Sequence, residues 1–374
     1  MKLTALLRLA VASTAFHVFS AHAVDEISVL VPDLQGPQGL SSSVRTILAL
    51  QVWQTLRRTD AKAPDKDFGK GTVKLFAERP PQNHQSAETL ASDIHILSQM
   101  VLWGTVQPYG NGAIVQAFLS IPEYPLLDGK RYADFRAKHD EEWTIAIPLK
   151  NGNAVFRVDL PRRKLAFEPI VVRREVIEKY SNPRSIPLYD PKNPDRTIGA
   201  IGNTFEALEQ RGGTALVRSD KLLGLVRLPE LSDNRSEIVD FVGGVVRVFR
   251  ADWQGALDTF ARVVENPHTP TDVRIDSYLL RAMARTKLKR PGQEEVQRAI
   301  ELNPYLRSTI TYGVMERLAV FEMSLGSSPA VERQTVIRQA RELIERNRQL
   351  FLENDAWLAE TLGNLGKIED RYIR

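Results

Sequence analysis

The spacing of apolar positions changes twice along the chain, and each change predicts a different kind of structure. From Val24 to about Pro183, short apolar runs alternate with helical stripes. Ile27 to Val31 is a continuous apolar run, the signature of a strand covered on both faces. Val44, Ile47, Leu48, Val52 and Leu56 then recur at helical spacing, with Ser41 to Ser43 placed as N-caps. Thr72 to Phe76 predicts a second strand, and Ala87 to Met100 a second helix with Leu90, Ile94 and Leu97 on one stripe. Two alternating runs flank Tyr109 to Gly112, and two more flank Lys150 to Asn153. Each pair predicts a β-hairpin closed by an Asn-Gly turn. Leu165 to Val172 predicts a further strand and Arg173 to Lys179 a short helix. The pattern leaves open whether the segment from 122 to 183 extends the first sheet or bridges to the next module.

From Arg184 to Leu231 the texture is short strands punctuated by Gly and Pro. From Ser232 onward it is helical throughout. The predicted class is therefore multi-domain α+β, with an N-terminal α/β unit (24–183), a small β module (184–231) and a C-terminal helical array (232–374).

Particular residues sharpen each unit. Val29 to Leu34, Leu102 to Val106 and Gly110 to Leu119 resemble the opening strand and closing hairpin of the TolB amino-terminal and CsgG-like α/β domains, over roughly Glu26 to Ile121. That resemblance implies an envelope docking module and transfers no catalytic residue. Ile186, Leu188, Tyr189, Ile198, Gly199, Phe205, Leu208, Val217, Gly224 and Val226 resemble a bacterial SH3-like barrel. Ala215 and Leu225 stand where that family often has aromatics, which weighs against a wall-peptide groove. In the helical region, Phe241 to Gly244, Trp253, Ala256, Leu257, Phe260 and Val263 resemble one tetratricopeptide-like (TPR) repeat. Leu279, Leu280, Ala282, Val296, Ala299 and Ile300 resemble a second. The step from Phe260 to Val296 is 36 residues, close to the ~34 of such repeats. Small residues let paired helices approach, and Pro267 and Pro304 stand past helix ends they cannot continue. Tyr305 to Leu325, Ala330 to Leu352 and Asp355 to Tyr372 predict three more helices.

Composition places the chain before it explains it. Lys2 and Arg8, the apolar run Leu9 to Phe19, and Ala21-His22-Ala23 read as a cleavable signal peptide over residues 1–23, implying a periplasmic protein. No later stretch reaches the ~20 apolar residues of a membrane helix, so no integral membrane segment is expected after cleavage. Fifty basic residues against 46 acidic ones leave a formal charge of +4, and losing Lys2 and Arg8 lowers it to +2. That is no nucleic-acid footprint. With no cysteine, disulfides, thiol catalysis and thiolate metal sites are excluded.

Motifs that carry catalysis are missing: no nucleophile elbow, no phosphate loop and no zinc-binding helix motif. No catalytic, cofactor-binding or metal residue is assigned, and no cofactor is expected. Three weak signals remain. Gly36 to Gly39 with Ser41 to Ser43 joins a strand to a helix where an anion can bind, although a plain connection is the better reading. Lys138 to Glu142 gathers His139 with three carboxylates, the minimum for acid/base work, and more simply a solvated loop. Arg162, Arg163, Lys164, Arg173 and Arg174 form a basic group that protects a sheet edge or meets an acidic partner. The expected function is a non-catalytic periplasmic scaffold that holds an envelope protein or peptide on its helical face. Tyr278, Arg281 and Tyr312 are the candidate anchors, being residue types that dominate interfaces. The alternatives are peptidoglycan binding through the SH3-like module, or an enzyme built on residues 138–142.

Overall fold

A computed structural model describes residues 26–55, 70–76, 80–93, 98–122, 142–180, 187–201, 205–211, 214–219, 221–227, 237–325 and 329–373. The expected signal peptide (1–23), Lys138 to Glu141 and the turn glycines Gly212 and Gly213 lie outside these residues. The fold mixes helices and sheet, as the alternating textures predict.

The first unit is a doubly wound α/β layer. Strand β1 (Glu26–Pro32) leads to α1 (Gln38–Thr55), β2 (Lys70–Phe76), α2 (His84–Ala91), and the hairpin β3 (Met100–Tyr109) and β4 (Gly112–Ser120). Parallel β2 and β3 flank β1, and antiparallel β4 pairs along the whole of β3. Because β1 is central, both its faces are covered. Val29 and Val31 join the core under α1, and Leu30 joins Ala87, Ala91, Val101 and Trp103 under α2.

Three local expectations change. Ser41 to Ser43 lie inside α1, where the Ser43 hydroxyl donates back to the Gly39 carbonyl at 2.9 Å. Helix α2 stops at Ala91 instead of Met100. It starts on an Asn83 capping box and ends where the Ser92 amide caps the Glu88 carbonyl, leaving Met100 to open β3. In the β3–β4 turn, Gly110 takes the positive φ (+53°), so the Gly-Asn step makes the turn and not Asn-Gly.

Residues 142–180 divide their allegiance. Strands β7 (Lys164–Ala166) and β8 (Ile170–Val172) both pair with β4 and extend the first sheet. They replace the single strand expected from Leu165 to Val172, because Pro169 has no N–H to continue the ladder. Helix α3 (Arg174–Tyr180) comes next. The hairpin β5 (Trp143–Pro148) and β6 (Asn153–Val158) forms a separate two-stranded ribbon.

The middle segment contributes β9 (Pro187–Asp190), β10 (Asn193–Ala200), β11 (Phe205–Arg211), β12 (Thr214–Ser219) and β13 (Leu222–Arg227). Among the described residues these form an open ladder and no closed barrel. Strand β11 gives its second edge to β2, through Glu206 opposite Lys74 and Ala207 opposite Val73. The result is one eleven-stranded sheet in the order β10-β9-β13-β12-β11-β2-β1-β3-β4-β7, with β8 also on β4. Strand β10 ends that sheet with a proline and two register shifts, which blunt a free edge.

Among the described residues seven α-helices follow: α4 (Glu237–Phe249), α5 (Trp253–Glu265), α6 (Thr271–Lys287), α7 (Gln293–Leu302), α8 (Arg307–Ser324), α9 (Ala330–Arg346) and α10 (Ala356–Tyr372). Each packs on its neighbour in sequence order. The small residue of the first pair has a visible purpose, since a Cβ on Gly244 would overlap the Phe260 ring. The array is continuous with the sheet: α1 packs on α4, and Phe167 meets Phe241 with ring centroids 6.0 Å apart. No described helix is long and apolar enough to cross a membrane.

Gly244→Ala therefore overpacks the α4–α5 contact, with an expected loss of about 1–3 kcal/mol. Thermal or urea unfolding against the parent chain measures it, and an unchanged midpoint would show that Phe260 can move aside.

Candidate functional site

The described residues concentrate unusual chemistry where the β5–β6 hairpin meets the helical array. Its inward residues alternate as expected for a half-buried ribbon: Trp143, Ile145 and Ile147 on β5, and Ala154, Phe156 and Val158 on β6. Strand β6 has β5 on one side only, so on the other edge its outward carbonyls need donors from elsewhere. Helix side chains supply them. Asn364 Nδ2 donates to the Val155 carbonyl at 2.9 Å, Trp357 Nε1 to Arg157 at 2.9 Å, and the Tyr312 hydroxyl to Asp159 at 3.0 Å. The Tyr372 hydroxyl donates to the Pro148 carbonyl at the far end. Residues 155, 157 and 159 are successive outward positions, so helices α8 and α10 stand in for a missing strand.

Charge gathers beside this edge. Arg162, just past β6, lies 2.6 Å through Nη1 from Asp272 and 3.6 Å through Nε from Asp276, both on α6. Asp276 is 1% exposed, and neither carboxylate oxygen has a hydrogen-bond donor among the described residues. Burial pushes it up to about 7; Arg162 pulls against this, and Asp272 adds to it. Tyr312 is raised well above its ordinary value by burial, then by Asp276 and Asp159. Its ring meets the buried Trp143 edge-on at 5.4 Å. Trp143 Nε1 also lacks an acceptor among the described residues. A joint with an orphan donor and orphan acceptors is polar and poorly satisfied, and buried groups of that kind call for an explanation.

The three expected groove residues fare differently. Tyr312 is 1% exposed, so it cannot line an open groove; its hydroxyl is used inside the molecule. Tyr278 is half-buried against the core. Arg281 pairs with Glu295 at 3.1 Å, and Arg285 takes the same carboxylate at 3.0 Å, which clasps α6 to α7. Of the site that does form, the sequence offered Arg162, Arg163 and Tyr312, the last in a different role, and missed the rest. Its signal was Asp276, a carboxylate on the stripe of Val273, Leu279 and Leu280 that the array buries.

The weaker signals resolve into ordinary contacts. In the basic group, Arg162 serves Asp272 and Asp276, Arg163 lies 4.0 Å from Asp159, and Lys164 lies 3.2 Å from Glu88. Arg174 pairs with Glu178. At the strand–helix connection, the Ser41 hydroxyl donates to the Leu34 carbonyl and Gln35 Nε2 to the Pro81 carbonyl, while Asp33 sits on the buried Arg45 at 2.9 Å. A carboxylate at that helix start opposes anion binding. Of the 138–142 cluster, Glu142 alone falls within the described residues.

A second His-bearing cluster lies under α2. The Ser120 hydroxyl accepts from Trp103 Nε1 at 2.9 Å and lies 2.8 Å from His84 Nδ1. Ser120 is fully buried, so the pair ties α2 to β4 and does not expose a nucleophile. His84 is lowered by burial and by Lys164, with Glu88 opposing.

Neither a family model, nor a curated protein, nor a solved structure matches this chain.

Tyr312→Phe keeps the Trp143 contact and removes the donor to Asp159. The expected loss is about 0.5–1.5 kcal/mol, the range for a hydrogen bond that is only part-buried. Amide exchange across residues 154–160 should accelerate with it; a silent variant would mean that water replaces the hydroxyl.

Proposed function

We propose that this chain is a non-catalytic scaffold of the bacterial periplasm, exported by residues 1–23, whose TPR-like array holds an envelope protein or peptide. The supporting observation is an exposed aromatic and apolar end of the array. Tyr305, before α8, and Leu352, before α10, are each 74% exposed. Next to them in sequence is a packed cluster: Arg307 lies 3.1 Å from Asp355 and 5.5 Å from the Phe351 ring, which stacks on Trp357 at 5.7 Å. The Arg307 pairing and the amide of Leu358 hold Asp355 below its ordinary value, against the effect of burial. Tyr, Trp and Arg on fixed backbone are what interface anchors are made of, and large exposed apolar side chains mark contact surfaces. We place the contact at this end because Tyr312 is buried, Tyr278 half-buried and Arg281 engaged with Glu295.

A photoreactive residue at position 305 or 352 in living cells is expected to give one discrete protein adduct, with none from position 360 on the outer side of α10. Tyr305→Ala combined with Leu352→Ala should weaken that association about tenfold or more, as for the loss of a residue worth over ~1.4 kcal/mol. Melting should be unchanged, because neither side chain is in the core. Equal adducts at all three positions would count against the reading.

The peptidoglycan alternative keeps one observation in its favour. Arg227 lies 4.5 Å over the Tyr189 ring, and Leu222 and Leu223 are exposed nearby on β13. Retention on purified sacculi that is lost in Tyr189→Ala would favour it. Deleting the module is the poorer test, since that would bare the edge of β2.

A further inference from the structure

At the hairpin exit, Asp276 is a buried carboxylate neither of whose oxygens has a hydrogen-bond donor among the described residues. Arg162 Nε stands 3.6 Å away, beyond hydrogen-bond reach, and Arg162 Nη1 is committed to Asp272 at 2.6 Å. The Tyr312 hydroxyl is committed to the Asp159 carbonyl, one of the acceptors on the free edge of β6. The charged and titratable groups acting on this corner are Asp272 from the same helix, Arg162, Arg163 and Asp159 from the hairpin exit, and Tyr312 from α8. The other helices against α6 close their buried pairs elsewhere: Arg262 with Asp240, Arg247 with Asp252, and Arg281 and Arg285 with Glu295. Glu316 and Arg317 of α8 act on each other.

We propose that docking of the β5–β6 hairpin on the helical array is proton-controlled, closed while Asp276 is neutral and loosened when Asp276 ionises. A neutral carboxyl leaves Arg162 with Asp272 and Tyr312 with Asp159. An ionised one needs donors, and those within the joint are the groups that hold the hairpin. It must then draw them away from their partners or admit water.

Proton binding sets the sign. The closed joint holds the Asp276 proton up to about pH 7, whereas a hydrated carboxylate in the opened joint gives it up near its ordinary 3.8. Between those values the closed form binds one more proton than the open form. Opening is therefore favoured up to about tenfold per pH unit as pH rises through that window, and levels off above it. This is the reverse of a salt-bridged Asp, whose contribution is lost on acidification.

Hydrogen exchange of the full chain, corrected for the intrinsic pH dependence of amide exchange, tests the proposal. Protection of amides 143–158 should fall from pH 5 to pH 7 and then level off. Asp276→Asn should abolish that slope and keep the hairpin protected at pH 8. A pH-independent hairpin in the parent chain, or the same slope in Asp276→Asn, overturns the proposal. Should Asp276→Asn not fold by circular dichroism, Asp272→Asn serves, because that side chain is 63% exposed. It removes the repelling charge and frees Arg162, so the levelling point should move to lower pH. An unmoved levelling point overturns the proposal equally.

Discussion

A two-stranded ribbon has two free edges, and a buried backbone carbonyl without a donor costs about as much as a lost hydrogen bond. That constraint governs the hairpin of β5 and β6 and, through it, the join between sheet and helices. Val155, Arg157 and Asp159 present successive outward carbonyls, and Asn364, Trp357 and Tyr312 meet them one for one. Trp357 and Asn364 are two turns apart on α10, which places them on the same helix face but spreads them ~10 Å along it. The two carbonyls are only ~7 Å apart along the strand. Side chains of different reach close the difference, which a backbone partner could not do. The helices thus give the hairpin a register as well as a resting place.

The same logic runs through the large sheet. Strand β11 closes no barrel with its own neighbours and is laid along β2 instead. The middle segment therefore extends the α/β sheet and does not hang from it as a bead. At the far end, Pro194 and the register shifts of β10 leave little straight edge for another chain to copy. The β10 edge of the large sheet is thus managed by irregularity, and the β6 edge of the separate ribbon by helix side chains.

How much of this was legible in the sequence depends on the range of the interaction. Periodicity within a dozen residues placed β1, α1, the two hairpins and the helical run from Glu237 onward, because burial of one face is a local pattern. It could not place the hairpin. Trp357 and Arg157 are 200 residues apart, and Asn364 and Val155 are 209 apart, so no window holds both partners. Tyr312 shows how a candidate anchor can end inside the molecule. Thr309 to Glu316 are all buried, so α8 has no polar stripe there to mark an inside and an outside. Nothing local distinguishes a tyrosine that faces a groove from one whose hydroxyl ends on a strand. The barrel failed for a related reason. Spacing of glycines and apolar residues predicts strands and turns, whereas the choice between closing on β10 and adding to β2 is a long-range competition for one edge.

Trp357 connects the two places where the molecule departs from a plain packed core. Its indole N–H holds the β6 edge, while its ring stacks on Phe351 beneath Arg307. One rigid side chain with two χ angles serves both, so a shift of the hairpin displaces the ring only by disturbing the stack and the Arg307–Asp355 pair. The reverse holds for whatever presses on that stack from outside. The β6 edge and the aromatic end of the array are therefore joined through Trp357 of α10. An interface built on this end would share its stiffness with the joint.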